Sequence, residues 1–113
     1  MKSNQQNIDS IAAVILAAGA SSRFGAPKQL LIWEKDSFLN TLIKTTTEAG
    51  LSPIMVVLGC HAVEIEQHIL DKSVKVIYNQ DWEKGQSTSV KAGVQALTEA
   101  YPNVMGAFFL QVD

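Results

Sequence analysis

The stretch that decides the fold is residues 11–31, IAAVILAAGASSRFGAPKQLL, in which an apolar run passes directly into a glycine-containing loop. The run IAAVILA at its start is short and aliphatic, which is typical of a strand buried on both faces of a parallel sheet. Gly19 and Gly25 allow unusual backbone conformations and let a ligand approach the main chain. The loop also carries Arg23 and Lys28, two charges that a simple turn does not need.

Three further apolar runs of the same kind follow. They are IMVVLG (54–59), VKVIYN (74–79) and GAFFLQV (106–112). Segments with helical periodicity separate them, at 37–50, 62–70 and 87–100. The alternation predicts an α/β fold, a three-layer α/β/α sandwich around a mostly parallel, Rossmann-like sheet.

Helix boundaries can be predicted from the capping residues. Ser37 is expected to be the N-cap of the first helix, and Gly50 to end that helix. Ser87 is expected to be the N-cap of the last helix, since serine is common at this position.

Composition limits the classes of function. A chain of 113 residues with 47% hydrophobic and 18% charged residues fits one globular domain. A net charge of −2 provides no basic field for nucleic acid, so any anion site must be local. Cys60 is the single cysteine, which excludes an internal disulfide and a cysteine-rich zinc site and favours a reducing, cytoplasmic location. The longest apolar runs are far below the ~18 residues of a membrane span, so no membrane association is expected.

Ligands of open parallel sheets bind where the strands end at their carboxyl termini. This rule indicates the loop after Ala17, the loop after Asn79, and Asp113. In the first loop, successive backbone N–H groups can hold an anion, Arg23 can grip two phosphate oxygens, and Lys28 supplies a mobile charge. The loop has neither a Walker ending nor the G-x-G-x-x-G fingerprint. A polyphosphate cradle and an ordinary turn with solvated charges both remain open on these residues alone.

The loops also resemble a known family. LAAGASSRFGAPKQLL (16–31) resembles the signature L-A-A-G-x-S-x-R-M-G-x-x-K of the MobA-like nucleotidyltransferases, and its KQLL ending is similar to their molybdenum cofactor cytidylyltransferase branch. YNQDWEKGQSTSVKAGVQAL (78–97) resembles the N-x-x-W-x-x-G-M-S-x-S-x-x-x-G of that branch. The final LQVD resembles the family's strand that ends in a metal-binding aspartate. Phe24 and Gln86 stand where methionine is usual.

The resemblance covers residues 11–113 and implies a nucleotide-diphospho-sugar transferase type of sandwich. Residues 1–10 are expected to form a disordered tail. Members of the family continue well beyond the aspartate that corresponds to Asp113. We therefore expect residues 11–113 to be the N-terminal, nucleotide-binding part of a single nucleotidyltransferase domain, truncated after the strand that ends at Asp113.

The implied reaction is Mg²⁺-dependent transfer of a cytidylyl, less readily a guanylyl, group from a nucleoside triphosphate to a phosphorylated cofactor. CTP is the favoured donor with GTP second, and molybdopterin is the leading acceptor. By resemblance Lys28 neutralises charge at the α-phosphate, Arg23 holds the leaving phosphates, and Asp113 binds Mg²⁺. The implied nucleotide-binding residues are Leu16, Ala17, Ala18, Gly19, Ala20, Ser21, Ser22, Arg23, Lys28, Asn79, Gly85 and Ser89. Among them, Gly85 and Ser89 resemble positions that contact the base and ribose, and Asn79 resembles the residue that orients their loop.

Other interpretations remain. Related families transfer cytidylyl or uridylyl groups to sugar- or polyol-phosphates, and a non-catalytic nucleotide-binding domain would carry the same first loop. Asn79 and Gly85 could serve only to shape a turn. His61 and Glu64 have a spacing suited to one face of a helix, but no third metal ligand accompanies them at a suitable spacing. Trp82 is expected to pack rather than to bind.

Overall fold

The computed structural model describes residues 10–19 and 37–112, together with the backbone alone of 22–23, 26–27, 32–33 and 36. The long strands are β1 (Ile11–Ala17), β6 (Ile54–Leu58), β7 (Lys75–Tyr78) and β8 (Gly106–Gln111). Four two-residue strands lie between β1 and the first helix: β2 (Ser22–Arg23), β3 (Ala26–Pro27), β4 (Ile32–Trp33) and β5 (Asp36–Ser37). The helices are α1 (Phe38–Glu48), α2 (Ala62–Gln67) and α3 (Gln86–Ala100), and a short 3₁₀ turn covers Trp82–Lys84.

The main sheet has the strand order β7-β6-β1-β8, and every neighbouring pair is parallel. Its strands are the four predicted apolar runs, so the predicted parallel sheet is confirmed. β1 lies inside the sheet, where Ala13 is opposite Ile54 on one side and Phe108 on the other. The short strands form two separate antiparallel pairs, β2 with β3 and β4 with β5.

The two faces of β1 pack against different helices. Ala13 and Ile15 belong to a core with Leu39 of α1 and Ile65 of α2. Alternate residues of β1 face the other way and belong to a core that contains Leu97 of α3. Because successive strand side chains point to opposite faces, one strand joins two cores, and the predicted three-layer sandwich is confirmed.

Of the two predicted N-caps, one is confirmed and the other is wrong. Ser37 is the N-cap of α1, and its Oγ accepts the N–H of Asn40 at 3.1 Å, as predicted. The prediction that Ser87 caps α3 is wrong, because that helix begins at Gln86 and its N-cap is Gly85. Gly85 has φ of +117°, a conformation that glycine adopts readily, so the chain enters the helix without a side-chain cap.

α2 is shorter than the predicted 62–70 and ends at Gln67. The side chain of Asn40 holds the residues that follow it: its Nδ2 donates to the carbonyl of His68 at 2.8 Å and its Oδ1 accepts the N–H of Leu70 at 3.0 Å. Asn40 is buried. A side chain from α1 thus satisfies backbone groups that would otherwise continue the helix.

β8 pairs with β1 alone among the strands that the structure describes, so it forms one border of the main sheet. Phe108 and Phe109 lie on opposite faces of this strand and are 58% and 40% exposed. Across the described residues, no helix has both the length and the apolar character required to span a bilayer.

Gly93 lets α3 lie close to the sheet. A Cβ at this position would be 2.7 Å from Cγ1 of Val14, which is fully buried in β1. Valine side chains are stiff, and the surrounding core leaves Val14 little room to move. The contact therefore sets how closely the helix approaches β1.

We expect Gly93→Val to destabilise the protein by about 1–3 kcal/mol, the usual cost of overpacking a core. Lys91→Val is the matched control, because it places the same side chain at an exposed position of the same helix. Valine has a lower helix propensity than lysine and a higher one than glycine, so propensity alone would destabilise only the control. Urea denaturation measures both free energies of unfolding. Equal values for the two variants would contradict the close approach at Gly93.

Candidate functional site

The loops that follow β1, β6 and β7 meet at the carboxyl end of the main sheet. The N–H of Cys60, after β6, donates to the carbonyl of Ala18, after β1, at 3.0 Å. The N–H of Asn79, after β7, donates to the carbonyl of Leu58 at 2.7 Å. The two loops predicted as ligand-binding are thus connected through a third, at the end of β6.

Apart from the metal site weighed for His61, the sequence assigned no role to this third loop, Gly59–His61. Its only signals were a glycine and, two residues later, a histidine. His61 has a left-handed backbone with φ of +59°, which is uncommon for a residue other than glycine. This loop carries no recognisable motif, and its role in the site is to lie between the other two loops and connect them.

The strand order predicts a ligand-binding crevice beside the first loop. The chain leaves β1 toward β6, and later returns through α3, on the opposite face, to reach β8 on the other side of β1. Open α/β sheets bind ligands at such a reversal. The N–H of Val112 donates to the carbonyl of Leu16 at 3.2 Å, so the end of β8 lies beside the end of β1.

Leu16, Ala17 and Ala18 are at this reversal, and their side chains are buried. A ligand in the crevice would therefore meet them through the main chain. Gly19 follows them and is exposed. Their assignment as nucleotide-binding residues remains a prediction that is compatible with this placement.

Several predicted site residues lie outside the described residues: Ala20, Ser21, Lys28 and Asp113. For Ser22 and Arg23 only the strand backbone is described. Arg23 is opposite Ala26 in the antiparallel pair of β2 and β3. A short β-hairpin therefore forms within the first loop, a feature that the glycine spacing did not predict.

The side chain of Asn79 joins several segments in the described part of the site. It is buried, and its Nδ2 donates to Thr88 Oγ1 at 2.9 Å and to Ser89 Oγ at 2.8 Å. Its Oδ1 accepts the N–H of Asp81 at 3.0 Å. Asn79 thus joins the end of β7, the loop after it, and the first turn of α3.

Thr88 completes these contacts. Its Oγ1 lies 2.7 Å from the carbonyl oxygen of Gly85 and 3.0 Å from that of Asp81, so its single proton is donated to one of the two. The prediction from sequence missed Thr88, although it lies one residue before Ser89 in the same motif. Its signal was present as a hydroxyl residue in the first turn of a helix.

Trp82 is partly buried and packs against the core, as predicted, and it contacts the loop after β6. It is packed against the cluster that contains Val57 and Leu97. A Cβ on Gly59 would be 2.6 Å from Cβ of Trp82 and 2.7 Å from its Cγ. The glycine therefore allows the indole to hold the second motif against the neighbouring loop.

The other titratable groups near this end of the sheet form ordinary surface pairs. The Tyr78 hydroxyl donates to the carboxylate of Glu66, and this hydrogen bond raises the pKa of Tyr78 above its usual value of 10.0. His61 Nδ1 lies 3.8 Å from Glu64 Oε1. Within the described ranges, no group of three or more His, Cys, Asp or Glu side chains could hold a metal ion, so a metal site at His61 gains no support.

Comparison with known proteins bears directly on this arrangement. Residues 13–113 match the model of the MobA-like NTP transferase domain. The match includes the first loop, the second motif and the end of β8. The chain belongs to this family.

Among curated relatives of this MobA-like chain is the molybdenum cofactor cytidylyltransferase of Escherichia coli K12. It is 37% identical over 91 residues, which are 80% of this chain and 47% of the relative. The nicotine blue oxidoreductase of Paenarthrobacter nicotinovorans is 30% identical over 74% of this chain and 41% of its own length. The chain spans about half the length, or less, of these relatives.

Solved structures agree with the fold. Rv0371c of Mycobacterium tuberculosis H37Rv has a TM-score of 0.78 and 26% identity, over 94% of this chain and 52% of that protein. A structure of the same protein in complex with manganese has a TM-score of 0.70 and 25% identity, over 92% and 50% of the two chains. The fold of this chain is thus similar to that of about half of Rv0371c.

We expect Gly59→Ala to displace Trp82 and destabilise the protein by about 1–3 kcal/mol, because the added methyl group overlaps the indole. Fluorescence of the variant in a Trp33→Phe background reports on Trp82 alone, and urea denaturation gives the free energy of unfolding. Gly106→Ala is the control, since a Cβ there meets no described atom within 4 Å. An unchanged Trp82 emission spectrum in Gly59→Ala would contradict the contact.

Proposed function

We propose that this chain is the nucleotide-binding part of a Mg²⁺-dependent nucleotidyltransferase that moves a cytidylyl group from CTP to a phosphorylated cofactor, with molybdopterin as the leading acceptor. The observation that carries the proposal is the meeting of two MobA-like motifs at the carboxyl end of one parallel sheet. The identity to a cytidylyltransferase supports the choice of reaction. A cytoplasmic location belongs to the same proposal.

The proposed reaction requires little covalent work from the protein. An acceptor phosphate oxygen attacks the α-phosphorus of CTP, a new P–O bond forms, and the bond to the β-phosphate oxygen breaks as pyrophosphate leaves. Catalysis of such a transfer depends on positioning and on neutralising negative charge. We assign Lys28 to the α-phosphate and Arg23 to the leaving phosphates, as the family resemblance implies.

The main chain at Leu16–Gly19 and the segment at Gly85 are assigned to the nucleotide. The buried side chains at 16–18 support main-chain contact, and small residues leave room for a base. Asp113 is assigned to Mg²⁺, which prefers carboxylate oxygens together with water and phosphate. The manganese complex of Rv0371c, whose fold is similar, supports the assignment of a divalent ion to this chain. When bound, such an ion would neutralise phosphate charge.

Relatives of this chain have names from more than one class of reaction, since one is called an oxidoreductase. The first loop lacks the glycine pattern of a dinucleotide-binding turn, which supports a nucleoside triphosphate as the ligand. Nucleotide binding is therefore the readout that tests the proposal without presupposing an acceptor.

We expect CTP with Mg²⁺ to raise the melting temperature more than GTP, ATP or UTP do. Ligand at 100 times its Kd adds about 2.7 kcal/mol of stability at one site. Differential scanning fluorimetry measures the shift with each nucleotide, with and without EDTA. The absence of a shift with all four nucleotides would contradict the proposed function, and a larger shift with GTP would contradict the cytidylyl assignment.

We expect Lys28→Ala to lower the rate of cytidylyl transfer by about 10²–10³, the usual effect of losing one preorganised charge contact. Transfer of radiolabelled CMP from CTP to molybdopterin measures the rate. Lys44→Ala is the matched control, since Lys44 is an exposed lysine on α1. Equal rates for Lys28→Ala and the control would remove Lys28 from the assigned role.

A further inference from the structure

The contacts of Asn79 use both of its amide protons. Nδ2 has two N–H bonds, and they are directed to Thr88 Oγ1 and Ser89 Oγ. The N–H of Asp81 requires an acceptor, which fixes Oδ1 on that side and Nδ2 toward the hydroxyls. No amide proton is left over to donate to a ligand.

The burial of Asn79 and Ser89 also argues against direct contact between their side chains and a ligand. Asn79 is 6% exposed and Ser89 is 2% exposed. A nucleotide in the crevice would reach neither side chain without a rearrangement of the loop. The resemblance implies that these positions act on the nucleotide, and their effect must then pass through another group.

That group is the segment that leads into α3. Asn79 holds Asp81 at one end of the segment, and Thr88 bonds back to a carbonyl at Asp81 or Gly85. The side chains of Asn79 and Thr88 therefore hold together the two ends of the segment from Asp81 to Thr88. Gly85 keeps its left-handed backbone inside this closure, and the first amides of α3 follow it without a side-chain cap.

We infer that Asn79 and Thr88 form a clasp that positions Gly85 and the first turn of α3 for the nucleotide, and that Asn79, Thr88 and Ser89 do not contact it. The inference rests on the proposed function for its ligand and assigns Thr88 a positioning role. Thr88 Oγ1 accepts a hydrogen bond from Asn79 Nδ2 and donates its own proton to the carbonyl of Asp81 or Gly85. Loss of either side chain releases the loop, so loop order and nucleotide affinity change together.

The test compares Asn79→Ala, Thr88→Val and Thr88→Ser in the full chain. Valine has nearly the shape of threonine but no hydroxyl, and serine restores the hydroxyl. Amide hydrogen exchange by NMR on the nucleotide-free protein reports the order of Asp81, Gly85 and residue 88. Titration calorimetry with CTP and Mg²⁺ reports Kd.

We expect Thr88→Val and Asn79→Ala to speed exchange at these amides by about tenfold and to weaken CTP binding by about tenfold, a change typical of losing one hydrogen bond. Thr88→Ser should stay within about twofold of the wild type in both readouts. Because Thr88 is only partly buried, its variants keep the test valid if Asn79→Ala does not fold.

Asn40→Ala is the matched control for stability. Asn40 is also a buried asparagine that bridges two segments, but it lies in the layer of α1 and α2, on the other face of the sheet from α3. We expect this variant to be destabilised and yet to keep the exchange rates at residues 81–88 and the Kd for CTP. General loss of stability is thereby separated from release of the clasp.

The outcomes distinguish the two claims. If the wild type binds CTP and Thr88→Val binds it equally well, the clasp is overturned and the proposed function stands. Weaker binding with unchanged exchange means direct contact with the nucleotide and also overturns the clasp. If the wild type binds no nucleoside triphosphate, the proposed function fails. In that case amide exchange in Thr88→Val decides whether Thr88 orders the loop. An exchange rate equal to that of the wild type would overturn the clasp as well.

Discussion

The structure depends on the burial of β1. This strand is aliphatic at every position, and its residues from Ala12 to Ala17 are buried. A strand without a polar face has to be covered on both sides and paired along both borders, since its backbone groups have no access to water. β6 and β8 provide the pairing, while α1 and α2 on one face and α3 on the other provide the cover.

Covering β1 in this way brings distant parts of the chain together. Parallel strands all end on the same side, so the loops after β1, β6 and β7 lie next to one another although they are separated in sequence by whole helices. The hydrogen bonds from Cys60 to Ala18 and from Asn79 to Leu58 join these loops directly. The family motifs are therefore neighbours because the core requires this sheet, and the site is a consequence of the packing.

Two buried asparagines do similar work on opposite faces of the sheet. Asn40 ends α2 by bonding the backbone at His68 and Leu70, and Asn79 closes the loop that leads into α3. A buried amide is stable only when its donors and acceptor are paired, so each side chain fixes the segments that it joins. Only the second of these residues lies among the family motifs, so only its contacts enter the proposed function.

The sequence by itself determined the four long strands, the order of helices between them, the two covered faces of the sheet, and the end of the sheet at which its motifs lie. The hydrophobic periodicity of each segment and the turn residues between segments are local properties, so they can be recognised in the sequence without coordinates. Only the tertiary structure decided that Gly85, rather than Ser87, precedes α3, and that the loop at Gly59 joins the site. It also decided that Thr88 shares the contacts of Asn79. These depend on which groups become neighbours in the folded chain, and a contact between residues that are separated in sequence leaves no periodic signal.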